Sequence, residues 1–305
     1  MGKRKSSGKK RLTPRQKIKR LNRLLVFFSI IIFLLLVALV YMLRPATQPV
    51  VLASPEPSSL YSPHPEITPS PIVPPVVSPL PLAKKNYIYL ILDDAGYSVE
   101  EVKPFLDLSF PLTVSILPHL RYSREIAGLV KKAGKRVFLH LPMESDNGSN
   151  PGPGAILADM DAMEVAKLTE EAIAGIPFLS GVNNHMGSKI TRDPIIMQQV
   201  LSILLQHNLY FVDSRTTPDS VAYDIARNMG IPSLKRDVFL DNKQDREYIM
   251  EALEHAARIA EERGYAVAIG HVWSKELPSI LEEVHMSFLK RGVFFGDIVE
   301  RLRKE

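Results

Sequence analysis

The sequence predicts an α/β fold: a distorted (β/α) barrel of seven or eight units, preceded by one transmembrane helix and a Pro-rich linker. Three observations predict it. Short apolar runs alternate with amphipathic segments through the last two thirds of the chain, the order of a mostly parallel sheet. Three polar stretches, Leu92-Asp93-Asp94-Ala95-Gly96, Asn183-Asn184-His185-Met186-Gly187-Ser188 and Ile269-Gly270-His271, each follow or close such a run. In parallel α/β folds the strand C-termini share one face, where catalytic groups gather. No Gly-x-Gly-x-x-Gly or phosphate-loop pattern is present, which removes the usual nucleotide-binding reading; an open doubly wound sheet is the alternative architecture.

Residues 1–23 carry 11 Lys or Arg and no acid. Residues 24–43 are 20 residues without a charge, long enough to cross a bilayer as a helix. Only Arg44 lies immediately beyond, so the positive-inside bias keeps residues 1–23 as a cytoplasmic tail and exports the chain beyond Arg44. A cleaved signal is a poorer reading, because Arg44-Pro45-Ala46-Thr47-Gln48 does not resemble an Ala-x-Ala site. Residues 44–83, rich in Pro and Ser, read as an extended spacer that makes this a single-pass membrane protein with an extracytoplasmic domain over 84–305. After residue 44 the balance is 26 basic against 33 acidic residues, or −7, so nothing points to a nucleic-acid partner. The chain has no cysteine, which fits an exported protein without disulfides and a cytosolic one equally.

Within 84–305 the expected strands are Tyr87–Leu92, Leu112–Leu117, Arg136–Leu141, Leu179–Val182, Leu209–Val212, Leu234–Phe239, Ala266–Ile269 and Val293–Phe295. The expected helices are Tyr122–Ala133, Asp161–Ala174, Pro194–His207, Pro218–Met229, Asp245–Arg263 and Leu277–Arg291. Thr217-Pro218 has the form of an N-cap and first helical residue. Gly134, Gly230, Gly264 and Gly292 fall where helices should stop.

Asp93-Asp94 is the strongest chemical signal. One strand-end Asp is a common helix cap; two in a row, before Gly96, allow one to ligate a divalent cation while the other stays ionised as a base. His140 closes the third strand before Pro142, with Glu144 four residues on as a ligand, an orienting group or a plain loop acid. His185 suits Zn²⁺ and similar metals, and Asn183 and Asn184 suit a carbonyl or sugar hydroxyls. Asp213, Ser214 and Arg215 follow the fifth strand; with no Gly-x-Ser-x-Gly elbow, Asp213 or Arg215 orienting a base is preferred to attack by Ser214. Arg236 and Asp237 form a similar pair, with Arg236 a substrate-binding candidate and a simple ion pair the alternative. His271 is the candidate general acid. His119 is left undecided, and His207, His255 and His285 are expected to face solvent.

In order, LDDAGYS (92–98), ILPH (116–119), HLPME (140–144), PGPGAIL (151–157), GVNNHMGSKIT (181–191), FVDSRTT (211–217), RDVFLDN (236–242) and AIGH (268–271) resemble the divergent polysaccharide deacetylase family, the YibQ-type relatives of the NodB-homology carbohydrate esterases. The resemblance runs from Tyr87 to about Arg291 and implies metal-assisted removal of an acetyl group from a polysaccharide. It implies that Asp93 is the base, that Asp94 and His140 bind the metal, Zn²⁺ foremost, and that His271 is the final family histidine. The family's second histidine of a His-x-x-x-His pair is replaced by Glu144, and its Arg-Pro-Pro-Tyr stretch by Asn183 to Ser188, so His185 is inferred as the third ligand. Two other functions are kept beside this one: a metal-dependent hydrolase of another acyl or peptide-like substrate, and a non-catalytic glycan-binding or envelope-scaffold module. A reporter fused after Glu305 is expected to be active only outside the cytoplasm; activity inside would reverse the topology.

Overall fold

The computed structural model describes residues 85–305. The anchor and spacer expected over residues 24–83 lie outside the described residues, and among the described residues no helix is long and apolar enough to cross a membrane. The chain runs β1 (Asn86–Ala95), α1 (Val99–Leu106), β2 (Thr113–Ile116), α2 (Ser123–Lys132), β3 (Arg136–Met143), α3 (Ala162–Gly175) and β4 (Leu179–Met186). It continues through α4 (Pro194–Gln206), β5 (Tyr210–Asp213), α5 (Ala222–Asn228), β6 (Ser233–Lys235), β7 (Val238–Phe239), α6 (Arg246–Arg263), β8 (Tyr265–His271), α7 (Leu277–Lys290), β9 (Val293–Gly296) and α8 (Ile298–Leu302).

The sheet is parallel throughout, in the order β6-β5-β4-β3-β2-β1-β8-β7, with β9 paired to the first half of β1. It curls until its two edges meet through the chain itself. The single strand expected over Leu234–Phe239 is two strands, β6 and β7, at opposite ends of that order. Between them Arg236 N–H bonds to Asp213 O (2.9 Å), beside β6, and Asp237 N–H bonds to Val267 O on β8 (2.9 Å). Apolar residues at both ends make the stretch read as one strand, but the charged Lys235-Arg236-Asp237 between them is where the chain crosses the seam of the barrel. The observed curled sheet is therefore the distorted barrel that the alternation predicts, closed by two residues rather than by a ladder.

One expected helix start fails for a local reason. The helix expected from Pro218 begins only at Ala222. The carboxylate of Asp213 accepts from Ser220 Oγ (2.6 Å), and Arg215 Nη2 donates to Pro218 O (2.8 Å), which hold residues 217–221 as a turn. Helix α1 was not expected; it contains Pro104, and its buried face is Val102 and Phe105. By contrast α6 ends as anticipated, at Gly264 with φ +97°, whose N–H bonds to Ala260 O (2.7 Å).

The strand period of two places the site. Successive strand residues face opposite sides. The outward set (Ile88, Leu90 and Leu92 on β1; Val137, Leu139 and Leu141 on β3) packs under the helices in the main core. The inward set is a second, smaller core: Tyr89, Ile91, Phe138, Val212, Leu234, Val267 and Ile269, plugged by Ile298, Val299 and Leu302 of α8. Arg136 locks the plug, its Nε and Nη2 bonding the carboxylate of Asp297 (2.8 and 2.5 Å). Continuing each inward row by two residues reaches Asp93, His140, Ser214, Arg236 and His271, so the polar cluster is the top layer of the barrel interior.

Gly181 occupies this interior opposite Phe138. A Cβ there would lie 2.6 Å from Phe138 Cζ and 2.9 Å from Tyr210 O. Gly181→Ala is expected to destabilise the domain by about 1–3 kcal/mol through overpacking. Phe138→Leu in the same chain should recover part of that loss in chemical denaturation; additive losses would show that the two sites are independent.

Candidate active site

Asp93 and Asp94 would ordinarily face opposite sides of β1. Here the β1–β2 register shifts between Leu92 and Ala95, and Asp94 adopts φ +66°. Asp is among the residues that tolerate this left-handed conformation. The result is that both carboxylates approach one imidazole: His140 Nε2 lies 3.5 Å from Asp93 Oδ2 and 3.3 Å from Asp94 Oδ1. His185 Nδ1 stands 3.0 Å from the same Asp94 oxygen and 3.2 Å from His140 Nε2.

Asn183 is the hub beneath this cluster and is fully buried. Its Nδ2 donates to Asp93 Oδ1 (2.9 Å) and Ser214 Oγ (3.1 Å). Its Oδ1 accepts from Ser115 Oγ and from His140 Nδ1, the latter at 2.9 Å. With Asp93 ionised, the amide nitrogen must face that carboxylate, so the amide oxygen faces His140. A proton of His140 is thereby placed on Nδ1, and Nε2 faces Asp94 and His185.

Burial pushes the Asp93 carboxyl up, against the opposing pull of His140, His271 and Asn183, and the charge of Asp94 adds to the rise. Burial also works against the charge of Asp94, but the His140 and His185 rings beside it hold its carboxyl far below the ordinary range. Two adjacent carboxyls thus have opposite tendencies, one toward basicity and one toward permanent charge.

Across the rim, Asp93 and His271 are register partners on β1 and β8. The His271 ring is held by Asp241, which sequence reasoning passed over although it lies in the RDVFLDN stretch. One Asp241 oxygen accepts from His271 Nδ1 (2.8 Å) and the other from the His271 backbone N–H (2.8 Å). Burial lowers the His271 pKa, but the Asp241 hydrogen bond and charge outweigh it and raise the group to about 8. The ring is stacked on Trp273 (centroids 4.6 Å apart, 19° between planes).

Other expected residues lie elsewhere. Asn184 faces the outer layer and is buried, with Nδ2 donating to Met186 O (2.8 Å) and Oδ1 accepting from Ser214 N–H (2.9 Å). Both ends of its amide are occupied and no surface remains for a substrate. Asp213 is fully buried at the end of β5, where its carboxylate accepts from Ser220 Oγ and from the N–H groups of Arg215 and Tyr223. Arg215, at φ +47°, points to Pro218 O. Neither is hydrogen-bonded to the Asp93 cluster. Arg236 sits on the inward row, donates to Ser214 O (2.6 Å) and Arg215 O (2.7 Å), and lies over Phe239 at 3.7 Å. Glu144 is bound to Lys189 Nζ (2.5 Å) and Ala158 N–H (2.7 Å) and lines a separate open pocket of about 410 Å³. His119, undecided from sequence, is exposed at φ +60°, beside Gly154. His285, expected to face solvent, packs on Phe110 at 4.6 Å.

The fold is a barrel-like α/β sheet with paired carboxylates and three imidazoles on its C-terminal rim. The chain belongs to the divergent polysaccharide deacetylase family, whose model matches residues 90–298. It is 32% identical to YibQ of Escherichia coli over 182 residues, covering 60% of this chain and 57% of that protein. It is also 32% identical to a Haemophilus influenzae protein over 187 residues, covering 61% of this chain and 67% of that one. The chain thus spans under two thirds of the Escherichia coli relative. In structure it resembles protein ATU2773 of Agrobacterium tumefaciens (TM-score 0.68, 21% identity, covering 73% of this chain and 91% of that chain), a likeness of fold.

Asn183→Leu should leave His140 Nδ1–H and one Asp93 oxygen without partners, at about 1–3 kcal/mol for each group left unpaired. Asn183→Asp keeps the shape but sets a third carboxyl against Asp93. Its folded pKa would be raised, so its deficit in stability should narrow as pH falls and the new group takes a proton. A deficit in Asn183→Asp that is constant from acid to neutral pH would contradict the assigned amide orientation.

Proposed function

We propose that this chain is a metal-dependent hydrolase that removes acetyl groups from a cell-envelope polysaccharide, acting outside the cytoplasm from a membrane anchor. One observation carries the reading. Asp94 Oδ1, His140 Nε2 and His185 Nδ1 converge with separations of 3.0, 3.2 and 3.3 Å. Yet Asp94 Oδ1 is buried with no hydrogen-bond partner, and the three residues form a potential metal-holding group. A buried carboxylate oxygen facing ring nitrogens without a bond is costly unless a cation lies between them. Ligand atoms around a tetrahedral Zn²⁺ with arms of about 2.0–2.1 Å are about 3.3 Å apart, so the donor set fits in kind and in spacing. Three protein donors are also the usual number for a catalytic rather than a structural zinc.

A divalent cation held by Asp94, His140 and His185 would supply Lewis-acid polarisation of the acyl group and of water. Asp93 is outside that donor set. It receives the proton of the attacking water as the new bond forms to the acyl carbon; burial makes it a better base, and Asn183 aims it. His271 returns a proton to the departing nitrogen or oxygen as the acyl bond breaks, leaving acetate and a free amine or hydroxyl. Asp241 keeps its Nδ1 engaged, which leaves Nε2 for this transfer. The acetyl group and the glycan are supported by the family of the chain, and the anchor by residues 24–43.

Asp93→Asn and His271→Ala are each expected to retain metal and to lose about 10²–10⁴-fold in acetate release. His185→Ala should lose metal. Metal content and acetate measured on the same samples decide the matter: wild-type turnover in both acid–base variants would end the hydrolytic reading, and full metal occupancy in His185→Ala would end the ligand assignment.

The acid must be protonated, so kcat/KM should fall as pH rises past about 8, the value to which Asp241 raises His271. Asp241→Asn removes the charge that raises it, and the alkaline limb should move to lower pH. An unmoved limb would exclude His271 as the titrating acid.

A further inference from the structure

The segment after β8 does not leave the site. Val272 N–H bonds to Asp93 O (3.0 Å), which carries the β1–β8 register one step further and delivers Trp273 beside Asp94. Trp273 Nε1 donates to Asp94 Oδ2 at 3.0 Å. The other oxygen of the same carboxylate, Oδ1, is the one that faces His140 and His185. The backbone at Asp94 is left-handed, and neither carboxylate oxygen is held by a main-chain N–H. The indole is therefore the group that fixes how this carboxylate turns.

An indole N–H donates and cannot accept. It cannot take a proton from the carboxylate or offer a lone pair to a cation. Bonded to Oδ2, it holds that oxygen away from the three-atom cluster and leaves Oδ1 alone to face the ring nitrogens. A carboxylate free to rotate would present both oxygens and would lose rotational freedom on binding a cation. Resting on the metal reading of Asp94, His140 and His185, we propose that Trp273 is a positioning residue: its indole N–H pre-sets Asp94 as a one-oxygen donor. Its stacking on His271 and its 39% exposure place the ring at the mouth of the site, so the N–H stays correctly aimed only while the ring keeps that stack.

Trp273→Phe keeps an aromatic ring on His271 and removes the N–H along with part of the indole ring area. The probe is Zn²⁺ alone, competed between the full chain and a chromophoric chelator, with thermal melting to confirm folding. Loss of such a supporting hydrogen bond typically weakens metal binding about 10–100-fold, and that is the expected result. A variant that binds Zn²⁺ as tightly as the wild-type chain overturns the positioning role and leaves the metal reading intact. A wild-type chain that takes up no Zn²⁺ overturns both. A second measurement needs no variant. Trp273 is the single tryptophan of the sequence, so tryptophan emission reports the surroundings of this ring alone. Zn²⁺ should change that emission in step with occupancy, and saturable Zn²⁺ uptake with unchanged emission would also overturn the proposal.

Discussion

The site depends on one buried amide. Asn183 holds together side chains from β1, β2, β3 and the end of β5 through all four of its hydrogen-bonding positions. A saturated buried amide is inexpensive to keep and costly to disturb, because each partner left unpaired loses its water as well as its bond. Its two ends are chemically different, so it also has a direction. The donor end must face Asp93, and that choice passes to His140 as a proton on Nδ1. The tautomer of a ring on β3 is therefore set by the charge of a carboxylate on β1.

That direction matters because the remaining geometry is electrostatically unfavourable by itself. Asp93 and Asp94 are adjacent, both are largely buried, and both lie within 3.5 Å of the same ring nitrogen. Extended backbone would have separated them across the sheet. The shifted register and the positive φ at Asp94 oppose that separation, and such local strain persists where surrounding structure over-determines it. The strain gains two unlike carboxyls at one point: a buried, desolvated one with raised basicity and one held ionised by imidazoles.

Much of this was legible in the sequence, for identifiable reasons. Buried parallel strands are continuous apolar runs, and each chemistry-bearing stretch sits where such a run stops, so Asp93, His140, Asn183, His185 and His271 could be placed on one rim without coordinates. Parity was the information left unused. Asn183 and Asn184 look equivalent as a pair, but only odd-numbered positions of β4 face inward, which is why Asn183 joins the cluster and Asn184 ties β4 to the segment after β5. The same rule separates Ser214 from Asp213. Asp241 and Trp273 were hidden for a different reason: each acts by contacting a functional residue 30 or 179 positions away in the chain, and nothing local marks that partnership. The seam at Arg236-Asp237 did leave a mark, the charges of Lys235-Arg236-Asp237 between two apolar ends, but one short strand with polar inward positions reads the same way.

Register explains how His185 can stand where a His-x-x-x-His spacing would have put a second ring on β3. Four residues past His140 the chain has left the strand, and Glu144 there is bound to Lys189 and Ala158 on the loop side. Across the ladder the alternatives are fixed. His140 is paired with Asn183, and Pro142 with His185. Residue 185 is thus the diagonal neighbour of His140 on the same inward face, within reach of a large side chain. The two rings meet with centroids 4.9 Å apart. A slip of one residue in this pairing would turn Asn184 inward and both Asn183 and His185 outward. The amide hub and the third imidazole would be lost together, so the parallel register between β3 and β4 is as much a part of the site as any side chain in it.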